Sequence, residues 1–121
     1  MANIQESLRQ ISGIEGFVAA ALVDSDSGMM LGQINSNGMD LEVAAAGSSD
    51  VVRSKRRMMS QLELKDSIED ILITLGHQYH VIRPVGHGDM DAFFYVVLDR
   101  ERANLALSRV KVQQAEKNVE F

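Results

Sequence analysis

Three histidines, His77, His80 and His87, are the residues whose type best suits metal binding or proton transfer, and they fall in one short stretch. Their spacing works against a shared site. His77-x-x-His80 straddles an expected turn at Gly76-His77-Gln78, so the two rings need not face one way, and the chain has no cysteine to complete a zinc-type set. Solvent-exposed turn histidines are expected, and no metal or cofactor is assigned. Asp24-x-Asp26-x-Gly28 matches the opening of a calcium loop, but a full loop ends in a bidentate glutamate, and Asn35 stands there. A plain turn is expected instead. Glu69 and Asp70 are adjacent, and in a strand adjacent side chains point to opposite faces, so they make a poor carboxylate pair. No GxSxG elbow presents a serine and no GxxxxGK[ST] loop cradles a phosphate. These absences leave no catalytic set, and a non-enzymatic protein is expected.

Arg53, Arg56 and Arg57 are the remaining cluster, at i, i+3 and i+4 of a helical run. Arginine favours interfaces and bidentate carboxylate contacts, so the three are candidates for binding a partner.

The arginines belong to Asp40–Leu62, the longest expected helix, for which Asp40 can act as N-cap. At about 100° per residue, Ala44, Val51, Met58 and Leu62 share a side with Leu41, Ala45, Val52 and Met59, and Ser48 and Lys55 sit among them. A helix lying only on a sheet needs a stripe of roughly 100°. This arc is wider and includes small residues, which predicts two packing partners: the protein's own sheet and a second copy of the helix, with Lys55 extending out from between them.

The remaining elements follow in order. Asn3 to Ile11 reads as an amphipathic helix ended by Gly13, and Phe17 to Val23 and Met29 to Ile34 read as a hairpin. After the long helix, Ser67 to Leu75, Tyr79 to Val85 and Ala92 to Leu98 read as strands. A last helix is expected to be capped by Asp99. Its buried side would be Leu105, Ala106, Val110 and Val112, its solvated side would hold Arg100, Arg102, Arg109 and Lys117, and its tail would fray from about Gln113. Tight turns imply an antiparallel sheet, and strands without clean alternation require helices on both faces. Residues 1–121 are therefore expected to form one α+β domain.

Composition excludes several function classes. A net charge of -5 argues against general nucleic-acid binding, which needs an extensive basic face. The absence of cysteine excludes disulfides and thiol catalysis. The segment MANIQESLRQ carries no basic leader before an apolar core, and no apolar run approaches about 18 residues. No membrane insertion is expected, and the protein is expected to be cytoplasmic.

Taken together, Ile11-Ser12-Gly13-Ile14-Glu15-Gly16 leading into Ala19-Ala20-Ala21-Leu22-Val23, the Asp24 to Gly28 turn, Met29-Met30-Leu31-Gly32, the Ala-rich helix and the closing hairpin with its helix resemble a Roadblock / dynein light chain domain of the stand-alone bacterial type. The resemblance covers nearly the whole chain. It implies a five-stranded antiparallel sheet with two helices on one face and the long central helix on the other. It further implies a homodimer in which central helices pack together and the third strands, here Ser67 to Leu75, pair edge to edge. With the wide arc, this makes Leu41, Ala45, Ser48, Val52, Lys55, Met59, Ile71 and Ile73 the expected dimer interface. Family members are non-enzymatic platforms, many for small Ras-like GTPases, so the resemblance implies a GTPase or similar signalling protein as partner, with Arg53, Arg56 and Arg57 near its docking face. The alternative is a small-molecule sensor of the PAS or GAF kind, which would enclose a ligand beside Phe94, Tyr95 or Met58.

Overall fold

The computed structural model describes residues 3–120. The elements are α1 (Ile4–Ser12), β1 (Phe17–Asp24), β2 (Met30–Asn35), α2 (Leu41–Gln61), β3 (Ile71–Thr74), β4 (Gln78–Pro84), β5 (Ala92–Asp99) and α3 (Leu105–Asn118). The five strands form one antiparallel sheet in the order β2-β1-β5-β4-β3. Helices α1 and α3 cover one face and α2 covers the other.

That sandwich explains why β1 and β5 are apolar at nearly every position. In β1, Ala20 and Leu22 enter the core beneath α1 and α3, while Ala19, Ala21 and Val23 enter the core beneath α2. In β5, Phe94, Val96 and Leu98 join the first core, and Phe93, Tyr95 and Val97 join the second. Strands buried on both faces have no solvent side on which to place polar residues.

Local signals set most boundaries. Asp40 caps α2, its side chain accepting from the Val43 amide at 3.3 Å. In α1, Leu8 and Ile11 are buried and Gly13 forms the C-cap. Gly16 has a φ of +87°, and a Cβ there would lie 2.9 Å from the Ala103 backbone nitrogen, so only glycine brings the start of β1 against the turn that leads into α3.

Three expectations are corrected. Asp99 does not cap α3; it ends β5 and accepts from the Glu101 amide, while Asn104 caps the helix through the Leu107 amide. The helix then runs to Asn118 instead of fraying from Gln113, because its buried side is Ser108, Val112, Ala115 and Glu116, followed by buried Val119; Ala106 and Val110 are exposed. Strand β3 is also shorter than Ser67 to Leu75. Polar Glu69 and Asp70 fall outside it, and Asp70 instead holds Arg109 of α3 through two bonds of 2.9 Å.

Candidate interaction surface

Helix α2 has two apolar sides that meet different surroundings. Leu41, Ala45, Ser48 and Val52 are buried, and Leu41, Ala45 and Val52 pack in the same core as Ala21, Val23, Phe93 and Tyr95. Burying a Val or Leu side chain contributes about 1.5–3 kcal/mol, so these residues hold the helix to its own sheet. That corrects the expected interface, since four of its members are spent within the protomer. Lys55 is exposed, and Met59, also of that set, is half-buried.

The other apolar side faces outward. Val51 is 39%, Met58 41% and Leu62 61% exposed, and half-buried Ala44 and exposed Gly47 and Lys55 complete the stripe. Beside it the edge strand β3 carries half-buried Ile71 and exposed Ile73. A cleft between α2 and this edge is lined by apolar Met59, Leu64, Ile68 and Ile71 together with Lys55 and the polar run Asp66, Ser67, Glu69 and Asp70.

Two of the three arginines are engaged within the protomer. Arg53 donates from Nη1 to the carbonyl oxygens of Ser25 and Asp26, both at 3.1 Å, and pairs with Asp50 one turn earlier. Arg56 reaches both carboxylate oxygens of Asp91, at 3.0 and 2.9 Å. These contacts fasten the second half of α2 to the β1–β2 and β4–β5 turns. Arg57 alone of the three makes no hydrogen bond or ion pair with another described residue. Sequence periodicity had no means of finding Asp91 or the Ser25 carbonyl, because both come from distant turns.

The β1–β2 turn is closed by its own side chains. Asp24 accepts from the Asp26 amide at 3.2 Å and from the Ser27 hydroxyl at 3.0 Å, and Gly28 takes a φ of +74°. Each carboxylate oxygen of Asp24 thus accepts one hydrogen bond from within the turn, the local bonding typical of an aspartate turn.

The three histidines are not brought together. His77 lies exposed in the β3–β4 turn, its carbonyl accepting from the Arg100 amide. His80 departs from the expected exposed state: it is a half-buried strand residue, paired across the sheet with Ile73 and Val97. Its Nε2 donates to Gln78 Oε1 at 2.9 Å and its Nδ1 accepts from the Tyr95 hydroxyl at 3.0 Å, an arrangement that fits the neutral ring. Burial lowers the His80 pKa and raises that of Tyr95, since each loses solvent for its charged form. His87 sits between α3 and the β4–β5 turn, with Nε2 2.7 Å from the Val119 carbonyl oxygen and Nδ1 3.3 Å from Glu116. Among the described residues, no group of three or more His, Asp or Glu is placed to hold a metal ion.

Sequence reasoning also missed Glu116, which lies at 4% exposure in α3. It accepts from Arg83 at 3.1 Å and from the Gly86 amide at 3.3 Å, tying α3 to the end of β4.

No family model matches this sequence, and no match was found among curated proteins. Solved structures do match. The fold is the Roadblock/LC7 fold: a Roadblock/LC7 domain from Streptomyces avermitilis superposes with a TM-score of 0.76 at 15% identity, over 90% of this chain and 87% of that one. MglB from Myxococcus xanthus superposes with a TM-score of 0.82 at 14% identity, over 94% of this chain and 89% of that one. The gliding protein MglB from Thermus thermophilus gives 0.80 at 15% identity, over 94% and 83%. At such identities the likeness establishes the architecture, and it agrees with the resemblance drawn from the sequence.

Proposed function

We propose that this chain is a non-enzymatic, homodimeric interaction platform that binds or regulates a small Ras-like GTPase or similar signalling protein. The observation that carries this reading is the second apolar side of α2. Val51, Met58 and Leu62 are exposed on one side of this helix, and exposed large apolar side chains grouped in this way are a usual mark of protein contact.

A second copy answers that surface well. Ala44 and Gly47 allow two helices to approach closely, and Ile73 on β3 extends the apolar area to a sheet edge that pairing would protect. The interface in this reading keeps Lys55, Met59, Ile71 and Ile73 from the sequence-based set, and Ala44, Gly47, Val51, Met58 and Leu62 replace Leu41, Ala45, Ser48 and Val52. Self-association also agrees with one matching structure described as MglB in a tetrameric arrangement. The GTPase partner rests on the family resemblance, and a cytoplasmic site of action goes with it. No helix among the described residues is long and apolar enough to cross a membrane.

The sensor alternative needs a ligand cavity beside Phe94, Tyr95 or Met58. Phe94 is packed in one core, Tyr95 in the other, and Met58 faces outward, so this reading is less well supported.

The test is affinity capture from native lysate with this protein as bait, in parallel arms containing a GTP analogue or GDP. Preferential retention of a small GTPase in one arm supports the platform. Retention of no GTPase by folded, dimeric bait refutes the GTPase assignment.

A further inference from the structure

The sheet ends at two edges, β3 and β2. The β2 edge, Met30-Leu31-Gly32-Gln33-Ile34-Asn35, contains neither a charge nor a proline, and its one irregularity is a bulge at Leu31, where Leu22 pairs with Gly32 and Val23 with Met30. Edge strands are ordinarily blunted by such residues, because a row of unpaired amides and carbonyls recruits another strand. Its hydrogen-bonding direction can be read from the ladder. Ser36 donates to the Val18 carbonyl at 3.1 Å, and antiparallel pairs alternate. The pairs Ala20 with Ile34 and Leu22 with Gly32 therefore bond inward, while Gln33 and Asn35 turn their backbone groups to the open edge.

A pocket of about 360 Å³ lies at the start of the same strand, lined by Gly28, Met29, Met30 and Glu42. Met29 is 68% exposed. Methionine adapts its shape to an incoming apolar group, and Glu42 is the ionisable side chain in the pocket wall.

We propose that the outer edge of β2 receives an extended segment of a partner protein by strand addition, with an apolar side chain entering the Met29–Met30 pocket and a neighbouring Lys or Arg meeting Glu42. Backbone bonding supplies affinity in this mode and side-chain pockets supply specificity. A second copy of β2 fits less well, since its own residues include no basic group to answer Glu42. The site lies at the opposite edge from β3, so it does not depend on the proposed self-association.

The test is selection of phage-displayed random linear peptides against the full chain, followed by anisotropy titration of the enriched peptides. Enriched peptides should carry an apolar residue close to Lys or Arg. Gln33→Pro removes an outward amide at a position where an edge strand tolerates proline, and it should weaken binding about tenfold, the loss of roughly one hydrogen bond. Glu42→Lys should switch the selected charge from basic to acidic. Peptides without a basic preference, binding unaffected by both variants, or no enrichment on a chain shown by circular dichroism to be folded would each overturn the proposal. So would a Gln33→Pro variant that binds peptide normally but forms smaller assemblies, because the edge would then belong to a second copy.

Discussion

Nη1 of Arg56 lies 3.0 and 2.9 Å from the two carboxylate oxygens of Asp91, joining the second half of α2 to the β4–β5 turn. With Arg53 on the neighbouring turn, it fastens α2 within the protomer, while Arg57 of the same cluster takes no part. The pair is partly exposed, so its worth is discounted for solvent screening, to about 0.5 kcal/mol. Arg56→Ala should lower unfolding stability by that amount, Arg53→Ala by about 1–2 kcal/mol through two lost carbonyl contacts, and Arg57→Ala by almost nothing. Urea denaturation of the three variants measures the order; an equal loss at all three positions would contradict the fastening role.

Val51 and Val52 are sequence neighbours with opposite surroundings, which separates folding from assembly. Val52→Ala should cost about 2 kcal/mol by opening space beneath α2. Val51→Glu should change protomer stability by no more than about 0.5 kcal/mol yet shift the solution mass toward the monomer, because the charge would be buried without a partner in a helix-to-helix contact. Sedimentation equilibrium with parallel denaturation resolves the two effects. A Val51→Glu protein of unchanged mass would remove this stripe from the interface.

Stability should fall with acidity partly through His80. Its folded-state pKa is lowered from 6.5 by burial, so as pH drops through that value the unfolded chain takes up a proton that the folded chain does not. The folded state loses ground until its own lower pKa is passed, and above about pH 7.5 this contribution is absent. His80→Gln should flatten that part of the profile relative to the parent. Denaturation midpoints collected between neutral and mildly acid pH would show parallel curves if the ring had no such role.

The buried carboxylate of Glu116 should be among the more costly side chains to remove. Glu116→Ala leaves Arg83, whose side chain is only 13% exposed, without its counter-charge, and such a loss costs about 3 kcal/mol. The double variant with Arg83→Met should recover part of it, since neither charge then remains unpaired. A fully additive result in the double-mutant cycle would show that the two residues act independently.

Element order and type were legible from local patterns, because hydrophobic period, caps and glycines act over a few residues. Asp40 before Leu41, Gly13 after Ser12 and the continuous apolar runs of β1 and β5 were enough to place helices and strands and to support the Roadblock resemblance. The wide arc of α2 was legible too, but not its orientation. Periodicity fixes the angle between Val51 and Val52 and leaves open which of them meets the sheet, and the structure buries Leu41, Ala45, Ser48 and Val52 within the protomer. The same limit applies to the arginines, to His80 and to Glu116. Their roles depend on Asp91, Tyr95 and Arg83, which are distant in sequence and become neighbours only when the chain closes its sheet. Packing between remote segments decides which polar groups are satisfied within the protomer and which surfaces remain open to partners.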